Sequence, residues 1–327
     1  MNQRMWGLAV LVAAMLPCAP AAAQAAAGYP GKPIKIIVPF TPGSATDVVA
    51  RLLGEKLSAA WGQPVIVDNR AGAGGTIGIA QTAKADPDGY TLAVVSAGHA
   101  VNDVLYKDLQ YDTLGDLAGV APLASLPNVL IASPALGVRS VKELVAAAKA
   151  KPGEFNYATA GIGSAAHINS ERFNVVSGIK AVHLPLKGTP QMLGEIMAGR
   201  AQFAWAPVLS SIGLLNDGRL VALAVSTPKR TAALPEVPTI AEAGYPEGEF
   251  VFWLGMLAPA KTPRGIVDKL NTEINRALQA PEMVERLAKL GSEPMSMSPQ
   301  QFDAFIREEH AVLGKVMRDA REAAVDK

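Results

Sequence analysis

Apolar runs alternate with short polar loops along this chain, a pattern typical of strands that alternate with helices. The first clear unit has an apolar run at 34–38, a turn at 39–43 and apolar positions at helical spacing from 48 to 53. Ser44 and Asp47, three residues apart, have the form of a capping box. The unit therefore predicts a buried strand, a tight loop and a helix whose N terminus suits an anion.

A single turn of this kind is common in α/β proteins, so the anion interpretation depends on recurrence. Loops rich in Gly, Ser and Thr follow predicted strands at 39–47, 68–76, 159–164 and 186–191. Ligands of parallel sheets bind beyond the carboxyl ends of the strands. Because two loops lie in the first third of the chain and two in the middle third, they would face one cleft between two lobes.

Two extended stretches, at 120–132 and 250–257, are suited to carry the chain between such lobes. We therefore predict an α/β fold with two lobes of mostly parallel sheets and flanking helices. The first lobe is expected to contain residues 28–124 plus 251–327, and the second residues 125–250. A chain of about 300 residues commonly divides in this way.

Residues 1–27 have the pattern of a secretory signal peptide. Arg4 is followed by the apolar stretch 6–16, too short for a membrane span of ~20 residues, and then by small residues. Cys18, the only cysteine, lies within this segment, so the mature chain is expected to have no disulfide or thiolate chemistry. These features predict an exported, periplasmic protein.

Composition and motifs exclude several functions. With 18% charged residues and a formal net charge of +1, the chain has no electrostatic pattern for nucleic acid. The loose dinucleotide pattern at 161–166 lacks the acidic residue expected about 20 positions later. The sequence has neither a G-x-S-x-G elbow nor an H-E-x-x-H motif. We therefore predict no enzyme activity, no metal and no cofactor.

Several single side chains near the loops have both a structural and a ligand-binding interpretation. His167 is more typical of a hydrogen-bonded structural histidine than of a base, and Asp47 of a helix-capping carboxylate than of an acceptor for a ligand amine. Trp205, at a strand end, suits either the core or a ligand wall. Lys187 is a surface charge or a group that steers an anion.

The mature chain resembles the receptors of tripartite tricarboxylate transporters, also called Bug proteins. The resemblance rests on motifs in the family's order along the chain: YPGKPIKIIVPFTPGSATD, GQPVIVDNRAGAGGTIG, DPDGYTL, KPGEFNYATAGIGSAAH, HLPLKGTP, LPEVPTIAEAGYP and FWLGMLAPAKTP. It implies a type II periplasmic binding protein, or Venus flytrap, that closes on a small carboxylate. It also implies that the loops matching 40–47, 71–78 and 160–164 hold the carboxylate.

The chain departs from the family pattern at three places. Ser44 stands where the family usually has a second glycine, Leu186 where it has a tyrosine, and Ala206 where it has an aspartate. We therefore expect a ligand with one carboxylate and a relatively apolar or aromatic body. The residues predicted to bind it are Phe40, Thr41, Gly43, Ser44, Asp47, Gly75, Thr76, Ser96, His99, Thr159, Gly163, Ser164, His167, Lys187 and Trp205.

The resulting functional prediction is a monomeric solute receptor that delivers its carboxylate to integral membrane transporter subunits. A sensory adapter that presents the same ligand to a membrane sensor kinase is the first alternative. An exported enzyme is the second, and the missing catalytic constellation argues against it.

Overall fold

The computed structural model describes residues 28–289 and 291–325 of the chain. The predicted signal peptide at 1–27 lies outside the described residues. The first part of the fold alternates strands and helices, as the sequence pattern predicts. Its elements are β1 (Ile34–Val38), α1 (Ala45–Trp61), β2 (Val65–Asn69), α2 (Thr76–Ala83), β3 (Thr91–Ser96), α3 (Asn102–Leu105) and β4 (Leu117–Leu126), with 3₁₀ turns at Ala73–Gly75 and Ala97–Val101.

The middle part of the chain repeats this alternation, and the last part is mostly helical. The middle elements are β5 (Asn128–Ala132), a 3₁₀ turn at Pro134–Leu136, α4 (Val141–Ala150), β6 (Phe155–Thr159), α5 (Ala165–Ser177), β7 (Ala181–Pro185), α6 (Thr189–Met197), β8 (Phe203–Pro207), α7 (Val208–Asn216) and β9 (Val221–Val225). A 3₁₀ turn at Pro246–Gly248 then precedes β10 (Phe252–Pro259), α8 (Arg264–Gln279), α9 (Pro281–Lys289), β11 (Glu293–Pro294) and α10 (Pro299–Val325).

These strands form two sheets, with the orders β11-β4-β10-β3-β1-β2 and β7-β6-β8-β5-β9. The pairs β1–β2, β1–β3, β6–β7 and β6–β8 are parallel. The strands next to the chain crossings, β4, β5 and β10, pair antiparallel with their neighbours. The two-lobe α/β class is confirmed, but the sheets are mixed rather than mostly parallel, because β10 in the first sheet and β5 in the second run antiparallel to the strands on both sides of them.

The chain passes between the sheets at two places. Pro127 separates β4 of the first sheet from β5 of the second, and residues 226–251 connect β9 to β10. Hydrogen bonds of Ser226 join the two crossings. Its N–H donates to the Asn128 carbonyl at 2.8 Å, and its Oγ donates to the Phe250 carbonyl at 2.6 Å. The two crossings are therefore joined to each other by hydrogen bonds.

Each sheet is buried between helices. Fully buried side chains of β1, β3, β4 and β10 pack with α1, α8 and α10 around the first sheet. Separate apolar clusters cover the two faces of the second sheet. Ala165 and Ile168 of α5 belong to the core of the first sheet, so the N-terminal end of this helix packs across the cleft. Of the helices in the described residues, none has the length and apolarity that crossing a membrane requires.

Candidate functional site

Two helices from opposite sides of the cleft begin at the same place. α1 and α5 are each capped by a serine: Ser44 Oγ accepts from Asp47 N–H, and Ser164 Oγ from His167 N–H, each at 3.3 Å. A helix leaves its first N–H groups without intrahelical partners, and the caps serve only the third group of each helix. The first two N–H groups of each helix remain available to a ligand, at the positive end of two helix dipoles.

A cavity of ≈ 30 Å³ lies where these helices meet, which is room for about two water molecules. The exposed surface of its wall is mostly apolar, but five hydroxyl side chains and the N-termini of α1 and α5 also line it, and none of its lining residues, all within the described part of the chain, is charged. We call it the inner cavity; its wall is formed by Phe40, Ser44, Ala45, Thr46, Ser96, Asn128, Ala160, Ser164, Ala165, Ala166, Thr189, Pro207 and Phe252.

A second, larger cavity of ≈ 560 Å³ adjoins the first, since Phe40 and Ala160 line both. This outer cavity lies between the loops of the two lobes and is mostly apolar, with the Thr41 and Tyr106 hydroxyls and the exposed Lys187 ammonium as polar side-chain groups. Its wall consists of residues 39–41, 71–75, Tyr106, 160–162 and 185–187. The two cavities together suit a small polar head group with a larger body.

The lobes touch through backbone and glycine positions beside the outer cavity. Tyr106 Oη donates to the Ile162 carbonyl across the cleft at 2.8 Å. A methyl group added at Gly74 would collide with the Ile162 carbonyl, and one added at Gly98 with the Gly163 carbonyl. The structure is therefore closed, with loops of the two sheets in direct contact.

Asp47 is buried, and groups of the protein occupy its carboxylate. Its carboxylate accepts from Gly43 N–H at 2.9 Å, from Arg51 at 3.0 Å and from Asn69 Nδ2 at 2.9 Å. Burial alone would raise the pKa of this carboxyl, but these donors hold it below its ordinary value. The helix-capping interpretation fits this geometry, because the loop that precedes α1 is fastened through Asp47.

His167 also has a structural environment. Its Nδ1 accepts from Gly163 N–H at 3.3 Å, and its ring stacks on that of His183 with centroids 4.3 Å apart. Thr159 Oγ1 lies 2.7 Å from His183 Nε2. Burial lowers the pKa of His167 to about 3 and that of His183 to about 4, so both rings are neutral at pH 7. The Gly163 N–H is thereby engaged by His167.

His99 and Trp205 lie away from both cavities. His99 is buried, its ring stacks on Tyr111 with centroids 6.2 Å apart, and burial lowers its pKa to about 4. Trp205 is fully buried and packs edge-on against Phe173 in the core of the second sheet. Trp253 of β10 is likewise in a core.

The predicted binding residues therefore divide into two groups. The cavity walls contain Phe40, Thr41, Ser44, Gly75, Ser96, Ser164 and Lys187. The structure places Gly43, Asp47, Thr76, His99, Thr159, Gly163, His167 and Trp205 outside both walls. Four further lining residues are absent from the list of predicted binding residues: Asn128, Tyr106, Thr46 and Thr189. Thr46 and Thr189 lie within the predicted loops 39–47 and 186–191, whereas Asn128 and Tyr106 lie outside the predicted loops.

Comparison with known proteins gives a consistent picture. The family model described as tripartite tricarboxylate transporter family receptor matches residues 49–321. The protein BugT of Bordetella pertussis is 38% identical over 301 residues, which cover 91% of this chain and 92% of the relative.

Solved structures agree with the family match. The R. palustris protein Rpa4515, solved with adipate, is 35% identical with a TM-score of 0.86 over 89% of this chain and 98% of its own. The periplasmic binding protein BugD is 31% identical with a TM-score of 0.85, and the match likewise covers 89% of this chain and 98% of its own.

Proposed function

The chain belongs to the tripartite tricarboxylate transporter receptor family, which includes the Bug proteins, and from that premise we propose that it captures a small carboxylate in the cleft between its lobes. Members of this family are substrate-binding receptors, so the chain is a receptor and not an enzyme.

The observation that carries the proposal is the convergence of α1 and α5 on the inner cavity. Their first N–H groups and the hydroxyls of Ser44 and Ser164 supply donors from both lobes, and no acidic residue of the described chain lines the cavity. A carboxylate accepts hydrogen bonds only, and helix N-termini attract negative charge. A bound carboxylate thus bridges the lobes and stabilises the closed form.

The outer cavity takes the rest of the ligand. Its apolar wall favours a carbon chain or ring, at about 25 cal/mol per Å² of apolar surface removed from water. Adipate, present in the structure of Rpa4515, is a dicarboxylate. Lys187 at the edge of this cavity offers a partner for such a second carboxylate. The proposed ligand class therefore includes monocarboxylates with an apolar body and dicarboxylates that reach Lys187.

The cellular role proposed here follows from the family. The receptor is exported to the periplasm by the segment 1–27, is monomeric, and delivers its ligand to membrane transporter subunits. Its lobes comprise residues 28–124 plus 251–327 and residues 125–250. The hydrogen bonds of Ser226 to Asn128 and to Phe250 support this division, since Asn128 and Phe250 lie next to its borders.

A thermal-shift assay tests the proposal directly. Adipate, hexanoate and phenylacetate present a carboxylate on different bodies, while hexanol and hexylamine lack the anion. We expect at least one acid to raise the melting temperature, because a ligand at 100 times its Kd adds about 2.7 kcal/mol to stability, and neither control compound to do so. A rise in melting temperature with hexylamine would contradict a carboxylate receptor. So would a melting temperature that no acid of a broad set raises.

A further inference from the structure

The loop of residues 160–164, between β6 and α5, meets the first lobe through its backbone. Tyr106 Oη donates to the Ile162 carbonyl at 2.8 Å, and a Cβ at Gly98 would overlap the Gly163 carbonyl. Residues of this loop also line both cavities. Contact between the lobes and enclosure of a ligand therefore depend on the conformation of one short loop.

The peptide unit between Ile162 and Gly163 is held from both lobes. Its carbonyl accepts from Tyr106 of the first lobe, and its N–H donates to His167 Nδ1 of the second lobe at 3.3 Å. In this planar trans peptide the C=O and N–H bonds point in opposite directions. An acceptor on His167 therefore aims the Ile162 carbonyl at the first lobe.

The orientation of this peptide is easily lost without the acceptor. A rotation of the peptide changes ψ of Ile162 and φ of Gly163, and a glycine offers little resistance to such a change. The bond from Gly163 N–H to His167 is buried. Removal of the acceptor therefore leaves a buried donor unpaired, which is costly. Rotation of the peptide relieves that cost and turns the Ile162 carbonyl away from Tyr106.

Neighbouring groups fix the His167 ring in the form that accepts at Nδ1. The ring stacks on that of His183 with centroids 4.3 Å apart, and His183 stacks on Tyr157 with centroids 4.9 Å apart. A carboxyl oxygen of Glu171 lies 3.7 Å from His167 Nε2, which favours a proton on that nitrogen. Because the ring is neutral at pH 7, Nδ1 keeps its lone pair for the Gly163 N–H.

We propose that His167 is a positioning residue for ligand capture, and that its Nδ1 acts by aligning the peptide between Ile162 and Gly163 with the Tyr106 hydroxyl. The inference rests on the proposed carboxylate-receptor function, because its consequence is the stability of the closed, ligand-bound form. His167 lines neither cavity, so its effect on affinity passes through the loop. The loop is thereby set in its closed conformation before the lobes meet, which lowers the cost of binding.

Two variants separate the acceptor of His167 from its ring. His167→Asn keeps an acceptor close to the position of Nδ1 and loses the stacked ring, whereas His167→Phe keeps a ring and loses the acceptor. Calorimetric titration uses whichever of adipate, hexanoate and phenylacetate bind the wild-type protein. We expect His167→Asn to bind within about threefold of the wild type and His167→Phe at least about tenfold more weakly. The melting temperature should show the reverse order, with His167→Asn the lower, because ring stacking is lost. An affinity that follows the melting temperature instead would overturn the inference.

A double-mutant cycle with Tyr106→Phe tests whether both residues act through the same peptide. The losses of affinity in His167→Phe and in Tyr106→Phe should combine to less than the product of the two fold-changes, because either change alone already breaks the alignment. A double variant that shows the full product would contradict a shared peptide.

Hydrogen exchange of the Gly163 amide separates failure of this inference from failure of the proposed function, because it needs no ligand. In the ligand-free protein we expect the amide to be protected in the wild type and in His167→Asn, and to exchange at least about tenfold faster in His167→Phe. Equal exchange in all three proteins would overturn the inference even where carboxylates bind. Absence of binding by all three acids would contradict the proposed function, and the exchange result would still decide whether His167 positions the loop.

Discussion

Single glycines decide how closely the two lobes approach. Gly98, in the turn after β3, faces the Gly163 carbonyl of the other lobe so closely that a Cβ at residue 98 would overlap it. The backbone of Gly98 is outside the left-handed region, so an alanine there meets no local strain. Gly163, by contrast, has a φ of +79°, where a side chain strains the loop itself. Gly98 is therefore the cleaner position at which to disturb closure alone.

We expect Gly98→Ala to fold normally and to bind its ligand at least about tenfold more weakly, because only the closed form contains the clash and ligand binding depends on that form. Gly213→Ala is the matched control, since a Cβ at Gly213 in α7 meets no atom within 4 Å. Melting curves and calorimetric titration give both readouts. Unchanged affinity in Gly98→Ala would show that the bound state does not require this approach of the lobes.

Lys187 is the residue on which the choice between monocarboxylates and dicarboxylates depends. It is exposed and lies after the carboxyl end of β7, at the wall of the outer cavity. Lys187→Met should weaken adipate binding several-fold and leave hexanoate unaffected, since an exposed ion pair contributes about 0.2–1 kcal/mol. Lys180→Met, before the opposite end of β7, is the control. Equal effects on the two acids would argue against an ion pair with Lys187.

At the scale of elements, the N-termini of the helices were the part of the site that the sequence predicted best. A serine cap and its partner N–H lie three residues apart, so the pattern at Ser44 and at Ser164 is contained in one short stretch. Strand ends and glycine-rich loops are similarly local signals. The sequence therefore predicted the strand–loop–helix units and their meeting at one cleft.

Other site residues had no such local signal. Asn128 follows a proline in an apolar stretch, and its place at the inner cavity depends on the pairing of β5 with β8 and on the joined crossings. Tyr106 reaches a carbonyl 56 residues away in the chain. His99 and Trp205 had the expected position at a strand end, but tertiary packing directs both side chains into cores. Contacts between segments distant in the chain determine where these four side chains lie, and no local sequence pattern shows them.

The serine caps yield a prediction with an internal control. Ser44, Ser164 and Ser140 all cap helices in the same way, but only the first two line the inner cavity. Alanine at each position should cost about 1 kcal/mol of stability. Ligand affinity should fall only in Ser44→Ala and Ser164→Ala, because their hydroxyl hydrogens are free to donate to the carboxylate. A similar loss of affinity in Ser140→Ala would show that general destabilisation, rather than a lost hydrogen bond to the ligand, weakens binding in Ser44→Ala and Ser164→Ala.

At the scale of the whole molecule, burial of neutral histidines links stability to pH. His99, His167 and His183 are held with pKa values of about 4, about 3 and about 4, against an ordinary 6.5, and burial is the main cause for each. Two of them lie in the second lobe, beside the strand that leads to the loop 160–164, and one lies in the first. Protonation therefore affects both lobes rather than one site.

The sign of the effect follows from proton counting. Below pH 6.5 the unfolded chain protonates these histidines while the folded chain does not, so the unfolded state binds more protons and stability falls as pH falls. The loss begins near pH 6.5 and continues until the folded pKa values of about 4 and about 3 are reached. Burial raises the pKa of Asp303 and of Glu309, which opposes this trend in part.

We expect the melting temperature of the ligand-free protein to fall by roughly 10 °C between pH 7 and pH 5, since three histidines together contribute several kcal/mol over this range. His183→Gln should reduce the slope, because glutamine does not titrate and retains a polar group near Thr159, which now lies 2.7 Å from His183 Nε2. The decisive quantity is the slope of melting temperature against pH, not the melting temperature at pH 7. Any loss of packing in the variant lowers the melting temperature by a similar amount at every pH and leaves the slope unchanged. A flat profile in the wild type, or an unchanged slope in His183→Gln, would contradict the burial of these rings in the neutral form.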